Sequence, residues 1–417
     1  MGQMNLQIVK GMRDLVDQEV RVFAHLEEQA RKVFGLYGYQ ELRTPILEMA
    51  ELFVHAIGEE TDIVGKEMYL LEDKKGGKLA LRPEGTAPVV RFVAQSQVLK
   101  HQKQAKYFYL GPMFRYERPQ KGRFRQFHQI GVECFGHDGA DGDLELFLML
   151  RQYFAAIALT EVTFQLNSIG CPDPQCRPSY KANLVSYLKE KKAELCEDCN
   201  RRMETNPLRV LDCKVAGCQG ITQAAPKSTE HLCSPCANHF SELQALLAEH
   251  QIAYELNHRL VRGLDYYSRT VFEVYSANLG AQSAAGGGGR FDGLFAQYGE
   301  APVPSIGFAL GLDRLALLAP PPAPEAPGVF VIGFDRSLVA KWVAKVREAG
   351  VKCSYDPGLA SMKSQFKQAD KAQARLVVIL GEEELLAGKV TVKDLSKGAQ
   401  ATYSPEGALN LILEVLR

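Results

Sequence analysis

Near the start of the chain, Val20, Phe23, Leu26, Ala30, Val33, Phe34 and Tyr37 recur at helical spacing. The pattern predicts a helix with one apolar stripe turned to a core. Gly38 stands where such a helix ends, because glycine accepts the left-handed conformation there. The run E-L-R-T-P-I-L-E that follows is strand-like but contains Pro45. Proline offers no N–H to a ladder, which puts this strand at an edge, a bulge or a subunit boundary. K-Y-F-Y-L-G-P-M-F-R (106–115) and R-F-R-Q-F-H-Q-I-G-V-E-C-F (123–135) read as two strands, with Y-E-R-P-Q-K-G between them as a long hairpin loop. Towards the C-terminus the alternation changes. V-F-V-I-G-F, a helical stretch near Val339 to Ala349, V-K-C-S-Y and L-V-V-I-L follow one another, which predicts a small α/β domain. The rest mixes hairpins with helices, so the main body is expected to be α+β, an antiparallel sheet flanked by helices. No internal repeat is visible.

Punctuation divides the chain. A-P-P-P-A-P-E-A-P at 319–327 cannot continue a helix or sheet and reads as an extended, semi-rigid linker. It leaves about ninety residues, enough for a small domain. Eight cysteines fall between Cys171 and Cys236, with only Cys134 and Cys353 outside. So local a cluster implies a module with its own stabilising chemistry. The expected organisation is a core over 1–170 and 251–320, a Cys-rich insertion over 171–250, the linker, and an α/β domain over 328–417.

Composition adds limits. At 417 residues, roughly 150 residues per domain gives about three domains. Hydrophobic residues at 46% and charged residues at 24% exclude a disordered, collagenous or coiled-coil chain. Lys+Arg and Asp+Glu are equal at 49 each, so any nucleic-acid partner must be held by local basic patches. No apolar run reaches the ~18 residues of a membrane span, and Met1 to Lys10 lacks a signal-peptide core. A cytoplasmic protein without a membrane partner is expected, and its cysteines are not expected to form structural disulfides.

Candidate chemistry starts at the hairpin. Strand alternation puts Arg123, Arg125, Phe127, Gln129, Gly131 and Glu133 on one face. Such a face is either solvated or a ligand platform, since these groups are costly to bury alone. Arg115 could reach the same place, and Gly131 would let a ligand lie against the backbone. L-R-P-E-G-T-A (81–87) is a turn carrying Glu84. R-G-L-D-Y-Y-S-R-T-V-F-E-V places Arg262, Tyr266 and Tyr267 just before a strand-like run. A-A-G-G-G-G-R-F-D-G-L is either a flexible loop or a place of close approach to a ligand. S-I-G-F-A-L-G-L-D-R-L-A-L-L enters an apolar helix carrying Arg314. His128, opposite Gln129, reads as a satisfied core or surface histidine. Arginines that grip phosphate in two-point fashion, beside carboxylates and glycine-rich backbone, fit transfer between a nucleotide and an amino compound.

C-E-D-C and C-S-P-C are two C-x-x-C hooks, and together they would make a structural zinc site from Cys196, Cys199, Cys233 and Cys236. Their separation exceeds the ~15–20 residues of common ribbons. Cys213 with Cys218, or Cys171 with Cys176, could supply the second pair instead. Buried free thiols are the plain alternative.

The hairpin sequence G-P-M-F-R-Y-E-R-P-Q-K-G-R-F-R-Q-F-H-Q-I-G-V-E resembles motif 2 of the class II aminoacyl-tRNA synthetases in their histidyl form. L-V-R-G-L-D-Y-Y-S-R-T-V-F-E and G-G-G-G-R-F-D-G-L resemble the two motifs peculiar to histidyl-tRNA synthetases. G-F-A-L-G-L-D-R-L resembles motif 3, the strand around Pro45 motif 1, and L-R-P-E-G-T-A the amino-acid loop. The resemblance runs from about residue 8 to the C-terminus. It implies a histidine–tRNA ligase that forms histidyl-adenylate from ATP with Mg2+ and passes the histidyl group to the 3' end of its tRNA. By position, Arg115 and Arg262 would be catalytic, and Arg115, Arg123 and Arg314 would hold ATP. Glu84, Gly85, Thr86, Arg115, Gln129, Glu133, Arg262, Tyr266 and Tyr267 would form the histidine site. Arg118, Gln120, Lys121 and Arg123 would touch the tRNA acceptor end. The resemblance also implies a homodimer, an insertion near the acceptor stem and an anticodon-binding C-terminal domain. Phenylalanine stands at 291 where the family usually has tyrosine, so no hydrogen-bonding role is assigned to it. The contrasting reading is a non-catalytic regulatory paralogue of histidine biosynthesis, which would generally lose the arginines and the C-terminal domain.

Overall fold

A computed structural model describes residues 6–59, 61–279, 284–322, 328–382 and 386–416. The chain divides into two compact units, Met1–Pro322 and Ala323–Arg417. Of the proline-rich linker, 323–327 lie outside the described residues.

The first unit is built on a sheet of eight strands. In chain order its members are β1 (Gln40–Glu41), β5 (Ala105–Phe114), β6 (Gln126–Phe135), β7 (Thr163–Ser168), β8 (Tyr254–Leu256), β9 (Ser268–Tyr275), β10 (Ala284–Arg290) and β11 (Ser305–Gly311). In space they run β1-β5-β6-β11-β10-β9-β7-β8. All neighbours are antiparallel except the two edge pairs, β1 with β5 and β7 with β8. β2 (Leu47–Met49), β3 (Tyr69–Glu72) and β4 (Lys78–Leu81) form a separate small sheet in the order β2-β4-β3. The expected continuous strand through Pro45 is broken. β1 ends at Glu41 and β2 starts at Leu47, so the chain changes sheet across the proline, as a residue without a backbone donor favours.

One face of the large sheet packs a conventional core. Ile130, Val132, Ile306, Phe308, Leu310, Phe272 and Val274 meet Phe23, Leu26, Ala30 and Phe34 of the helix Asp17–Leu36. That helix buries Val22 rather than Val20, which is exposed. Gly38 follows it at φ +79°, the left-handed stop that the sequence predicts. The helices Ala140–Ala156 and Ser234–Glu249 complete this layer through Leu146, Phe147, Leu150, Phe240, Leu243 and Leu247. Between β7 and the second of these helices, the insertion folds as short helices, Arg177–Glu190, Glu197–Thr205 and Ala216–Gln223.

The second unit has a five-stranded sheet: β12 (Val329–Gly333), β13 (Cys353–Tyr355), β14 (Leu376–Leu380), β15 (Val390–Asp394) and β16 (Gln400–Tyr403), in the order β13-β12-β14-β15-β16. The first three are parallel and the last two antiparallel. Helix Arg336–Glu348, capped by the Asp335 carboxylate accepting the Leu338 N–H at 2.9 Å, packs Val339, Trp342, Val343 and Val346 on it.

A buried charge ties the first unit together. Arg290, at the end of β10, is fully buried. Its Nε donates to Asp143 Oδ2 at 2.8 Å, and its Nη atoms donate to the carbonyls of Gly139 (2.7 Å) and His137 (3.0 Å). His239 meets the other Asp143 oxygen at 3.2 Å. Burial alone would raise the Asp143 pKa, but His239 and Arg290 outweigh it and hold the pKa below the usual aspartate value. Breaking such a pair by removing one partner leaves the other charge buried and uncompensated. Asp143→Ala should therefore cost about 3–5 kcal/mol in denaturant unfolding. A loss below about 1 kcal/mol would show that backbone carbonyls alone satisfy Arg290.

Candidate active site

The cavity lies on the other face of the large sheet, and its floor follows from register. Tyr109, Gly131, Ala309, Gly287 and Glu273 stand opposite one another across β5, β6, β11, β10 and β9. Directly opposed residues share a face. In this row the three central positions carry at most a methyl group. The row beside it runs Glu133, Gly307, Gly289, and Gln129 faces Gly311. A sheet face without side chains leaves room above it, and a cavity of about 240 Å³ is found there.

Larger groups lie flat over the small residues. The Tyr109 ring sits between Gly85 and Gly131, and a Cβ at either glycine would run into it. Gly131 thus makes room for Tyr109, not for a ligand against the backbone as expected. Glu133 leans over Gly307 in the same way. A Cβ on Gly287 would come 2.8 Å from Arg262 Nη1. The glycine run is therefore a central strand rather than a loop. Gly287 accommodates the Arg262 guanidinium, while Cβ atoms at Gly286, Gly288 and Gly289 would strike neighbouring-strand carbonyls.

Four arginines line the cavity: Arg115, Arg123, Arg262 and Arg314. Each is held by an acceptor. Arg115 Nε donates to the Pro83 carbonyl at 2.8 Å, with its guanidinium 5.4 Å from the Phe127 ring. Arg123 is paired with Glu117. Arg262 Nη1 donates to Glu273 Oε1 at 2.6 Å. Arg314 Nη1 donates to the Ala284 carbonyl at 2.5 Å. Burial, and then the Arg123 and Arg115 charges, hold the Arg314 pKa below the usual arginine value. The guanidinium groups repel one another where they stand, and a polyanion entering between them would relieve that repulsion.

The cavity is also lined by Glu84, Thr86, Tyr109, Gln129, Tyr266 and Tyr267. Glu84 accepts the backbone N–H groups of Thr86 (2.7 Å) and Ala87 (2.8 Å), so it caps the helix Thr86–Ser96. The Thr86 hydroxyl donates to Glu133 Oε1 at 2.7 Å. The second Glu133 oxygen and Gln129 Oε1 are buried with no hydrogen-bond partner among the described residues. Such atoms typically cost about 1–3 kcal/mol each until a donor arrives. Glu133 does not itself line the cavity; it stands one layer behind Thr86. Burial, and then Glu84, push its pKa well above the ordinary glutamate value, although Thr86 opposes the shift. The Tyr266 and Tyr267 rings pack 4.8 Å apart, and Tyr266 meets Phe291 edge-on at 5.8 Å.

Some expected residues lie elsewhere. Arg118, Gln120 and Lys121 are exposed on the 115–125 hairpin loop, outside the cavity. Arg123 and Arg125 precede β6 rather than belong to it. Gly85 is behind the wall as packing for Tyr109. His128 does line the cavity, and its backbone N–H donates to Asp313 at 2.7 Å. Tyr109, Glu117 and Glu273 were not anticipated. The alternation Gly307, Ala309, Gly311 in G-F-A-L-G was the legible sign of a bare strand face.

The expected cysteine set is corrected. Cys196 and Cys199 do not join Cys233 and Cys236. They group with Cys213 and Cys218, while Cys233 and Cys236 group with Cys171 and Cys176. The reason is topological: the outer hooks meet where the insertion leaves and rejoins the sheet, and the inner hooks meet within it.

Because the Glu133 pKa is raised in the fold, the native state holds that proton more tightly than the unfolded chain. This contribution is full below the unfolded pKa and is lost as pH rises through the folded pKa. The permanently neutral Glu133→Gln should therefore gain stability relative to wild type between about pH 5 and pH 8 in paired denaturation curves. A gap that stays constant would mean that Glu133 is already ionised at the lower pH.

Comparison with known proteins supplies the family. The description Histidyl-tRNA synthetase matches residues 11–315, and Anticodon binding domain matches 329–415. A histidine–tRNA ligase of Thermodesulfovibrio yellowstonii is 45% identical, with 99% of each chain covered. One from Solidesulfovibrio magneticus is 49% identical over 96% of each. The crystal structure of apo histidyl-tRNA synthetase from Staphylococcus aureus aligns with a TM-score of 0.80 at 30% identity, covering 98% of this chain and 99% of that one.

Proposed function

The chain belongs to the histidyl-tRNA synthetase family, and we propose that the cavity on its bare sheet face is where histidine and ATP react. The activity is that of a histidine–tRNA ligase: histidine is activated with ATP and the histidyl group is passed to its tRNA. The regulatory reading is dropped, because the curated relatives are ligases over nearly their whole length.

The observation that carries the site assignment is the convergence of four arginines on one cavity that is also lined by Gln129, whose buried Oε1 has no hydrogen-bond partner among the described residues. In the first step a histidine carboxylate oxygen forms a bond to the α-phosphorus of ATP. The bond from that phosphorus to the bridging oxygen breaks, and pyrophosphate leaves with the electron pair. The nucleophile is already an anion, so no general base is needed, and positioning with charge stabilisation does the catalysis. Arg115 grips the α-phosphate and carboxylate, Arg314 the γ-phosphate end, and Arg123 helps hold ATP. Arg262 meets the charge growing at the α-phosphate. Magnesium travels with ATP as part of the substrate. Gln129, Tyr266 and Tyr267 surround the amino acid. Thr86, backed by Glu133, presents oxygen to the imidazole N–H, and a substrate lacking that donor leaves these oxygens unsatisfied.

Arg118, Gln120 and Lys121 outside the cavity, together with Arg123 from its wall, meet the tRNA acceptor end, and the second unit reads the anticodon. No helix among the described residues is long and apolar enough to cross a membrane, in keeping with a cytoplasmic enzyme. Homodimerisation is supported by the small sheet. Register puts Leu47, Met49, Tyr69, Leu71, Leu79 and Leu81 on one of its faces. Leu47, Met49 and Leu71 there are 43%, 52% and 46% exposed, an apolar face suited to an isologous contact.

Arg262→Ala should slow histidine-dependent ATP–pyrophosphate exchange by about 10²- to 10³-fold and leave histidine affinity within a few-fold. Near-normal exchange would remove Arg262 from the mechanism. Met49→Glu should shift a wild-type dimer to monomer in sedimentation equilibrium, weakening association by at least about tenfold. A variant that dimerises like wild type would move the interface elsewhere.

A further inference from the structure

Each of the two cysteine groups brings four thiol sulfurs within 4.8 Å of one another. Cys171 and Cys233 Sγ are 3.7 Å apart, and Cys196 and Cys213 Sγ are 3.9 Å apart. Four thiolates about 2.3 Å from a central zinc stand roughly 3.8 Å from each other by tetrahedral geometry. A disulfide requires about 2.05 Å, and all ten cysteines are free. Each group takes one C-x2-C hook and one C-x4-C hook. Backbone N–H groups also point at the sulfurs. Cys171 N and Cys233 N donate to Cys176 Sγ at 3.3 and 3.4 Å, and Cys196 N donates to Cys218 Sγ at 3.3 Å. Donors aimed at sulfur favour the thiolate over the neutral thiol. Cys196 and Cys233 each stand immediately before the first turn of the helix that carries Cys199 or Cys236.

We propose that the insertion holds two separate zinc ions. Cys171, Cys176, Cys233 and Cys236 surround one, and Cys196, Cys199, Cys213 and Cys218 surround the other. Both sites are closed, with no open coordination position, so their part is structural. The outer ion clamps the insertion at its root, joining the segment after β7 to the helix Ser234–Glu249, which packs in the main core. The inner ion staples the segment 196–218. From that segment Arg202 reaches Asp62 at 3.0 Å and Asn206 donates to Asp265 at 2.8 Å. Asp265 lies in the loop that carries Arg262, so the inner ion steadies that loop from behind. The module is helical and small, and buries Tyr180, Leu184, Leu188 and Met203 only in a core shared with the rest of the unit, a setting in which metal supplies folding energy.

Full-length protein purified without added metal should contain about two zinc ions per chain by elemental analysis. Cys199→Ser and Cys236→Ser should each retain about one. Because a serine variant can misfold, thiol titration of wild type gives a second reading. The eight insertion cysteines should resist alkylation until a chelator strips zinc, and then react as zinc is released. Less than about half a zinc per chain in folded protein would overturn the proposal. So would iron in place of zinc, disulfides among these cysteines in non-reducing mass spectrometry, or a single ion lost in both variants. That last result would restore one site shared by the two C-x-x-C hooks.

Discussion

Every strand in an antiparallel sheet has two faces, and a sheet that buries one must do something with the other. Here the second face is stripped of side chains at its centre. Gly131, Gly307, Ala309, Gly311, Gly287 and Gly289 alternate with Ile130, Val132, Ile306, Phe308 and Leu310 of the core face. The same strands therefore serve as a close-packed wall on one side and as a floor on the other. Tyr109, Glu133 and Arg262 can lie along that floor because no Cβ stands beneath them. A methyl added at Gly131 or Gly307 would strike Tyr109 or Glu133 directly. Glycine weakens a strand, and the sheet tolerates it because its other face is fully packed.

Four guanidinium groups gather over this floor. Arg115, Arg123, Arg262 and Arg314 are each anchored by a carbonyl or a carboxylate, and a guanidinium carries five N–H donors in a fixed fork. Such an anchor fixes the direction of a planar guanidinium. The aromatic contacts of Arg115 and Arg262 with Phe127 and Tyr267 add orientation without competing for donors. Guanidinium groups fixed in this way are dipoles already placed for a polyanion, the condition under which electrostatic stabilisation is effective.

How much of this was legible follows the range of each signal. The helix Asp17–Leu36, the hairpin strands and the second unit's first strands are local patterns, and periodicity found them to within a few residues. Glu84, Thr86, Gln129, Arg262 and Arg314 were named from motifs, and they do meet in one cavity. What escaped was cross-strand information. The place of Tyr109 over Gly131 depends on β5 pairing with β6, and the floor depends on β6 meeting β11 and β11 meeting β10. No sequence spacing encodes those neighbours. The cysteines show the same limit. The hooks were visible, but which hook faces which is decided by where the insertion starts and ends.

The loop from Arg262 to Tyr267 joins these observations. On its cavity side it presents Arg262, Tyr266 and Tyr267. Its other side borders a smaller cleft of about 110 Å³, lined by Arg177, Asn206, Arg209 and Asp265, with Arg262 and Tyr267 contributing to both. Arg177, next in sequence to Cys176, donates to the Tyr267 carbonyl at 3.0 Å, and Asn206 holds Asp265. The Asp265 N–H donates to the Ile57 carbonyl at 3.1 Å. The loop is therefore a partition, fixed from behind by the Cys-rich insertion and in front by Glu273. Glycine and small side chains set the depth of the cavity, and the insertion braces, at Tyr267 and Asp265, the loop that carries Arg262.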